Sequence, residues 1–469
     1  MGKKLSFRIT IIAIGIIVLV GAALMPPLPG LSFLGQMALA ILAVSVLWWI
    51  TQVMPVVMTT WIMVALIPLF GIMTPMETWT AGMSPALVLF ISAFAFAVFF
   101  THSSWSTRVA ALVCKLSKGE SKRLVLGFMV ATAILSAFVD NLPLVAVMLP
   151  IAYKVLDANE TPWGGKSALG KTLVIGIIVA AYIGGWITPV GCIMNIILQG
   201  YLQSSFDITV TFGQWIIMGG VTAVISLPIA WAALVGVLKP ESLNPGVTDV
   251  LIKEAEDCGS LSRNDVAGLI IILAAMVCWI MGSWYPIFDT ATIGLVTLFF
   301  FFLPGLDIID FDDYMNESPW SVVLLVWGCG CLVGGIAATG AMDWIVDTLL
   351  MPMSGMSIPV IMIVLALIAC LIHNVLPSGA AVAGLISIPF IGFIIAIGGN
   401  PVATGFLCAV WSASAFLLPL DAPMFYGYSS KRKYFSFADT LRSGIIPSAA
   451  VILVVALVIP VVCSAAGMA

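Results

Sequence analysis

Residues that could bind ions are concentrated at four proline-containing interruptions of an otherwise apolar sequence. They are Asp140-Asn141-Leu142-Pro143, Thr188-Pro189, His373-Asn374-Val375-Leu376-Pro377 and Asp421-Ala422-Pro423. Asn, Asp and Thr are preferred helix N-caps and Pro is favoured in the first helical turn, so each interruption predicts the start of a helix. The N–H groups of a helix start attract an anion, and carbonyls freed at the preceding break can bind Na⁺. The four segments together predict a site for a small anion and a small cation.

Three ionisable side chains at these interruptions have more than one possible role. A carboxylate at membrane depth is costly and is a functional hypothesis by default. Asp140 and Asp421 could each ligate Na⁺, carry a proton or cap a helix. His373 could act as a proton switch, donate to a substrate or be a structurally satisfied histidine. The residues alone leave these alternatives open. His102, beside a basic segment, is interpreted as interfacial.

The elements that must position these residues are membrane helices. The chain has 469 residues, of which 62% are hydrophobic and 9% are charged, whereas soluble domains carry roughly 25% charged residues. A span needs about 20 apolar residues, and long stretches contain no charge at all: residues 9–76, 172–206, 208–238, 318–342 and 348–420. The composition predicts an all-α polytopic membrane protein with roughly ten or more passes. A net charge of −4 argues against nucleic-acid binding, and nine cysteines without a CxxC pair argue against a thiolate metal site.

The basic residues predict the topology. All 18 fall in five groups, at residues 3–8, 108–123, 154–171, 239–263 and 431–442. If every group is cytoplasmic, an even number of passes must separate consecutive groups. The first interval offers four spans, near 9–25, 32–51, 54–71 and 85–101. With a last span near 444–465, the amino terminus is predicted inside and the carboxyl terminus outside.

The interval between the second and third basic groups is too short to hold the even number of spans that this argument requires. The stretch between Arg123 and Lys154 cannot hold two full spans, since each span needs about 20 apolar residues. We therefore predict a re-entrant helical hairpin over 122–156 with its tip at 140–142. The segment from about 357 to 398 must likewise enter and return on the same side, which places a second tip at 373–375.

The two tips belong to an internal repeat. The separation between Pro85 and Asn141 equals that between Pro319 and Asn374 to within one position. The separation between Asn141 and Pro189 likewise equals that between Asn374 and Pro423 to within one position, so three landmarks recur in one register. The predicted topology places the first Ser-Pro outside and the second inside. Inverted repeats with paired interrupted apolar segments are typical of secondary transporters whose site lies near the membrane midplane.

On these residues the chain resembles the divalent anion/sodium symporter family. The first tip, from Leu135-Ser136 to Met148-Leu149-Pro150, matches the family's first Ser-Asn-Thr tip, with Asp140 for Ser and Leu142 for Thr. The segment from Ile183 to Asn195 matches the family's Gly-Gly and Thr-Pro break. The second tip and second break depart further, with His373-Asn374-Val375, Ala422 for Thr and Phe425 for Asn. Thr51-Gln52-Val53-Met54-Pro55 resembles an early family motif.

The resemblance implies a fold and a domain organisation. It implies about 11 transmembrane helices plus two re-entrant helical hairpins, arranged as an inverted-topology repeat in a homodimeric elevator-type transporter. The scaffold would be 1–119 and 264–353, and the transport region 120–238 and 354–469. Residues 239–263 would form a cytoplasmic linker, and the helix breaks would be 188–191 and 421–424.

The resemblance also implies binding residues. The substrate-binding candidates are Asn141, Leu142, Thr188, Pro189, His373, Asn374, Val375, Ala422 and Pro423. The sodium-site candidates are Asp140, Asn141, Gly191, Asn195, Asn374 and Asp421. Fewer hydroxyls and two added acids disfavour a highly charged tricarboxylate unless protons or Na⁺ compensate.

These observations predict a secondary active transporter of a small anion, such as a dicarboxylate, sulfate or a related organic anion. We expect coupling to Na⁺, no organic cofactor, and residence in a bacterial or archaeal inner membrane. The alternatives are an H⁺-coupled or exchange-mode anion transporter, or a cation/proton antiporter motivated by Asp140, Asp421 and His373. An enzyme is disfavoured, because the sequence has two His and lacks HExxH and GxSxG motifs.

Overall fold

The computed structural model describes residues 5–376 and 378–468, and this part of the chain contains helices and no β-strand. The first eleven α-helices are α1 (Leu5–Leu24), α2 (Phe33–Thr51), α3 (Val56–Leu69), α4 (Pro75–Ala81), α5 (Pro85–His102), α6 (Trp105–Ser117), α7 (Ser121–Ser136), α8 (Asn141–Ala158), α9 (Ala168–Gly185), α10 (Ile193–Phe206) and α11 (Phe212–Leu238). The next seven are α12 (Asp249–Asp257), α13 (Arg263–Met281), α14 (Thr290–Phe301), α15 (Phe311–Glu317), α16 (Trp320–Ala338), α17 (Ala341–Ile345) and α18 (Ile358–Val375). The last five are α19 (Gly379–Ala396), α20 (Pro401–Ser412), α21 (Ala422–Tyr428), α22 (Phe437–Leu453) and α23 (Ile459–Ala465).

Helix length and composition confirm a polytopic membrane protein. Within the described residues, ten helices are long and apolar enough to cross a membrane, or eleven if α5 and α6, bent by 59°, form one broken span. The four spans expected before residue 108 appear as α1, α2, α3 and α5, each within a few residues of its predicted limits. In α1 only Gly15 is buried, as expected for a helix that faces lipid.

The final span begins earlier than the sequence predicted. The helix runs from Phe437 to Ala465 through a π-helical turn, whereas the predicted start lay near 444. A capping box formed by Ser436 and Asp439 fixes its start. The Asp439 carboxylate also accepts from Lys171 Nζ at 2.8 Å. The first turn of this helix can therefore contain a charged residue. A hydropathy pattern would place such a turn outside the span.

Contacts between the basic groups support the parity argument. The groups at 108–123, 154–171, 239–263 and 431–442 meet at one end of the molecule. The contacts are Arg108 Nη2 to Gly259 O at 2.8 Å, Lys154 Nζ to Glu254 Oε1 at 2.5 Å, and Lys171 Nζ to Asp439 Oδ1 at 2.8 Å. These groups therefore share one membrane face, as the parity argument requires. Which face is cytoplasmic stays a prediction.

The two predicted tips join helices of similar length. At the first tip α7 ends at Ser136 and α8 begins at Asn141, and at the second α18 ends at Val375 and α19 begins at Gly379. The breaks after α9 and α20 follow in the same order in each half. The first half packs on the second through α10, which lies against α19 and α20. Within α9, 89% of the span is buried, so this helix lies in the interior and carries the first break there.

Candidate functional site

Asp140, at the first tip, binds the starts of two helices. Its Oδ1 accepts from the N–H of Leu142 at 3.4 Å, which makes it the N-cap of α8. Its Oδ2 accepts from the N–H of Ile193, the first residue of α10, at 3.1 Å. Both carboxylate oxygens therefore accept hydrogen bonds from backbone groups at helix starts. Of the three roles considered for Asp140, this geometry favours the helix cap.

Asn141 lies in the first turn of α8 and is 3% exposed. The hydroxyl of Ser136 lies 2.7 Å from Ala181 O and 3.2 Å from Asn141 Oδ1. A hydroxyl has a single hydrogen, so it can donate to only one of these two oxygens. With the shorter contact satisfied, Asn141 Oδ1 retains an open acceptor site.

The Thr188-Pro189 break folds as a short 3₁₀ turn. The Thr188 Oγ1 accepts from Gly191 N–H at 3.1 Å and donates to Ala137 O at 2.5 Å. This confirms the predicted capping role of Thr188. The same hydroxyl ties the break after α9 to the break after α7, because Ala137 is the residue that follows α7.

Asn195 supplies an unpaired oxygen to this region. Its Nδ2 donates to Gly185 O at 2.7 Å and to Thr188 O at 2.8 Å. Because both partners are carbonyls, which only accept, the amide orientation is fixed with Oδ1 on the other side. Asn195 is 0% exposed, and its Oδ1 has no hydrogen-bond donor among the described residues. A buried acceptor left without a donor is costly unless another group satisfies it.

Two glycines hold further oxygens close together. A Cβ atom on Gly185 would lie 2.4 Å from Asn141 Oδ1 and 3.2 Å from Gly191 O. A Cβ atom on Gly191 would lie 2.6 Å from Ser136 O and 2.8 Å from Gly185 O. Carbonyl and amide oxygens thus converge on a small buried volume that only glycine leaves open. This donor set fits Na⁺, which binds unwound backbone carbonyls in transporters of this architecture. We name the four residues that supply these oxygens the first oxygen cluster: Ser136, Asn141, Gly185 and Gly191. Asn195 adjoins it through the hydrogen bond from its Nδ2 to Gly185 O.

The second tip is built differently. His373 and Asn374 were expected to start a helix, but they lie in the last turn of α18, and the cap of α19 is Ser378, whose Oγ accepts from Ala381 N–H at 3.4 Å. The predicted Asn cap is wrong at both tips, since Asp140 is the cap at the first. Asn374 Oδ1 instead accepts from the N–H groups of Leu417 and Leu418, at 3.1 and 3.0 Å.

His373 is fully buried and bonded on one side to backbone carbonyls. Its Nδ1 lies 2.6 Å from Trp411 O and 3.1 Å from Ser414 O. Its Nε2 lies 3.5 Å from Asp421 Oδ1. The other oxygen of Asp421 accepts from the Tyr182 hydroxyl at 2.9 Å. Asp421 is the N-cap residue of α21, as predicted, but its side chain makes no capping hydrogen bond.

The two breaks are brought together by long-range hydrogen bonds. Tyr182, in α9, binds Asp421 in the second half of the chain, and Trp186 Nε1 donates to Ser414 Oγ at 3.0 Å. Both donors belong to the first repeat and both acceptors to the second. The sequence-predicted residues of the two halves therefore form one continuous polar region.

The remaining substrate-binding candidates differ in exposure. Leu142 is 36% exposed and Val375 is 60% exposed, and Ala422 is exposed as well. Pro189, Pro423 and Thr188 are buried. The accessible side chains at the tips are therefore apolar, while the polar ones lie beneath them. His102 lies elsewhere, on α5, where it is exposed and contacts Glu317 at 2.8 Å.

Sequence reasoning gave no role to several residues that complete this region. Tyr182 and Gly185 were not singled out, and Ser136 entered only as part of a motif. A buried Tyr needs a partner for its hydroxyl, so Tyr182 in a charge-free stretch was a usable signal. The identity of that partner, Asp421, depends on a contact no local pattern records.

Comparison with known proteins agrees with this architecture. A family model described as citrate transporter matches residues 46–410, more than half of the chain. The chain belongs to the citrate transporter family. It is accordingly a membrane transporter and not an enzyme, in agreement with the resemblance stated from the sequence.

The individual proteins that resemble the chain share only a modest sequence identity with it. The sodium-dependent dicarboxylate transporter SdcS of Staphylococcus saprophyticus is 28% identical over 416 residues, covering 84% of this chain and 79% of the relative. SdcS of Staphylococcus aureus strain USA300 shows the same identity and coverage. Among solved structures, the YdaH transporter of Alcanivorax borkumensis aligns with a TM-score of 0.53 over 85% of this chain and 88% of that chain. At 15% identity, this last similarity concerns the fold alone.

Proposed function

We propose that the protein is a Na⁺-coupled symporter that moves a small anion, such as a dicarboxylate, across a bacterial cytoplasmic membrane. The observation that carries the proposal is the first oxygen cluster, whose carbonyl and amide oxygens lie around a space that Gly185 and Gly191 leave open. The relatives named as sodium-dependent dicarboxylate transporters support the same coupling ion and substrate class.

Sodium binding follows from the chemistry of the first oxygen cluster. Its members supply carbonyl and amide oxygens and no side-chain charge, which suits a monovalent hard cation. Asp140 lies next to Asn141, and both of its carboxyl oxygens accept backbone hydrogen bonds, which leaves the cluster oxygens as the cation ligands.

The anion is proposed to bind where the two tips meet, near Asn141 and Asn374. The accessible side chains there, Leu142 and Val375, are apolar, and Asp140 already occupies the N–H groups of two helix starts. Few free donors remain to neutralise a third carboxylate. We therefore favour a dicarboxylate or a smaller anion over a tricarboxylate, although the family model is described as citrate transporter.

The motion is proposed to be of the elevator type, in a homodimer. Residues 120–238 and 354–469 would move as the transport region, with 1–119 and 264–353 as the scaffold and 239–263 as the linker. Packing between the two halves of the transport region supports this division, through α11 against α22 and α10 against α20. The largely exposed α1 would lie on the lipid-facing side of the scaffold.

Uptake into proteoliposomes tests the function. Labelled succinate, citrate and sulfate would be supplied with an inward Na⁺ gradient, and matched vesicles would receive a K⁺ gradient. We expect succinate uptake that requires Na⁺ and exceeds citrate uptake. Equal anion uptake under Na⁺ and K⁺ gradients contradicts sodium coupling and favours the proton-coupled or exchange mode. Sodium-driven proton movement with no added anion would favour the cation/proton antiporter.

A further inference from the structure

We propose that His373 takes the place of a second coupling cation, so that one Na⁺ accompanies each anion and binds at the first repeat. This inference rests on the sodium coupling proposed above and defines its stoichiometry. It comes from comparing the two repeats position by position. In the register of the repeat, His373 and Asn374 correspond to Asp140 and Asn141, and Phe425 corresponds to Gly191 with a shift of one position.

The imidazole already binds carbonyls of the kind that a cation would use. Trp411 and Ser414 lie where α20 ends, and the last carbonyls of a helix have no partner within it. Both oxygens face His373 Nδ1, at 2.6 and 3.1 Å. Because carbonyl oxygens only accept, Nδ1 must carry a hydrogen. His373 is 0% exposed, so the ring fills this position without access to water.

The other ring nitrogen faces a carboxylate. Nε2 of His373 lies 3.5 Å from Asp421 Oδ1. If both atoms lacked a hydrogen, two acceptors would face each other in a buried place, which is unfavourable. A hydrogen on one of the two atoms removes this conflict, and the ring then occupies the place beside the Asp421 carboxyl that a bound cation would need.

The remaining oxygens of the second repeat are not free to bind Na⁺. Asn374 Oδ1 accepts from two N–H groups, whereas its counterpart Asn141 Oδ1 faces only the shared hydroxyl of Ser136. Ala422 replaces Thr188 and brings no hydroxyl. Phe425 replaces Gly191 with a large side chain that is 50% exposed. The geometry thus assigns cation binding to the first repeat alone.

The ratio of Na⁺ flux to anion flux in the wild-type protein is the decisive measurement. Labelled Na⁺ and labelled succinate entering proteoliposomes would be counted together, and initial rates would be recorded against Na⁺ concentration. We expect one Na⁺ per anion and a Hill coefficient for Na⁺ near one, because the Hill coefficient is bounded by the number of sites. A ratio of two or a Hill coefficient clearly above one overturns the inference while leaving sodium symport intact. Anion uptake that does not depend on Na⁺ overturns the proposed function instead.

Substitution of His373 tests whether the ring is the blocking group. His373→Ser frees the Trp411 and Ser414 carbonyls beside Asp421, so we expect a second Na⁺ dependence and a flux ratio that rises towards two. His102→Ser is the matched control, because His102 is exposed and contacts Glu317 rather than the second break, and it should keep the wild-type ratio. A folded His373→Ser protein that still moves one Na⁺ per anion overturns the role of the ring. If this variant fails to elute as a single species, the wild-type ratio alone decides.

Discussion

The two breaks share a sequence spacing but satisfy their buried oxygens in opposite ways. At the first break, Asn195 Oδ1 has no donor among the described residues, and two glycines keep Asn141 Oδ1 and the carbonyls of Gly185 and Gly191 close together. At the second, His373 Nδ1 faces two carbonyls, with Trp411 O the nearer, and Asn374 Oδ1 accepts from two N–H groups. One break leaves its oxygens open to a ligand, and the other closes them with protein donors.

This difference shows how a duplicated architecture can be divided between two tasks. A helix break inside a membrane must satisfy its freed carbonyls, either with a bound ion or with a side chain. An ion can be released during each cycle, whereas a buried imidazole stays with the chain. The first break is therefore suited to coupling and the second to holding the structure of the anion site.

The largest effect is expected from closing the first oxygen cluster. In Gly185→Ala the added Cβ would lie 2.4 Å from Asn141 Oδ1, so Na⁺-dependent uptake should be abolished. Gly384→Ala, in α19 of the second repeat, is the control, because its Cβ would be 3.8 Å from its nearest neighbour, Tyr201 OH. Uptake by Gly185→Ala equal to that of Gly384→Ala would show that the cluster has no role in coupling.

Substitutions of Asn195 and Asn374 should have smaller effects, and the two should differ in whether Na⁺ or the anion is affected. Asn195→Ala removes the buried amide that holds the Gly185 and Thr188 carbonyls in place. The Na⁺ concentration for half-maximal uptake should therefore rise at least about tenfold, the equivalent of about 1.4 kcal/mol. Asn374→Ala frees the Leu417 and Leu418 N–H groups, so it should raise the KM for the anion with little change in the Na⁺ requirement. Kinetic titrations of both variants against Na⁺ and anion would check this. A reversal of the two effects would assign sodium to the second break.

A smaller effect is expected from breaking the hydrogen bond between Tyr182 and Asp421, which links the two repeats. Tyr182→Phe removes the hydroxyl that donates to Asp421 Oδ2 and leaves that oxygen without this donor. Losing a hydrogen bond to a buried charged group costs about 1.5–3 kcal/mol, so thermal stability should fall while the Na⁺ Hill coefficient stays unchanged. Tyr285→Phe, an exposed tyrosine, provides the comparison. A change in Na⁺ cooperativity would instead make Tyr182 part of the coupling machinery.

The smallest expected effect is a change in stability at the starts of α9 and α20, the helices that precede the two breaks. Glu241 accepts from the N–H groups of Ala168 and Leu169 at the start of α9, whereas α20 is capped by neutral Asn400. Burial raises the pKa of the Glu241 carboxyl, but these hydrogen bonds outweigh it and hold the pKa below its ordinary value. A lowered folded-state pKa gives stability that is present above the unfolded value, about 4.3, and lost as pH falls through the folded value.

Thermal melts of Glu241→Gln should therefore show a small loss of stability at neutral pH. The difference from the wild type should shrink as the solution is acidified below about pH 4. Asn400→Ala should lower stability by a similar small amount without that pH dependence. A pH-independent difference for Glu241→Gln would mean that the carboxylate charge does not contribute.

Much of the architecture could be predicted from local patterns. The long charge-free stretches predicted α1, α2, α3 and α5 to within a few residues, and the spacing of Asn141 and Asn374 marked two chain reversals. The residues that cap the helices were harder to predict from the sequence. Asp140 and Asn141 are both good N-caps, and only the backbone geometry decides that Asp140 is the cap and Asn141 the first helical residue.

The sequence by itself determined the class of the protein, the approximate limits of the first four spans and the neighbourhood of the two tips, because hydropathy and charge act locally along the chain. The tertiary structure decided how each polar group is satisfied. Asp140 reaches Ile193 on another helix, and Tyr182 reaches Asp421 in the other half of the chain. Hydrogen bonds between such distant positions depend on how helices pack, so neither the open oxygens of the first break nor the closed ones of the second can be derived from local sequence.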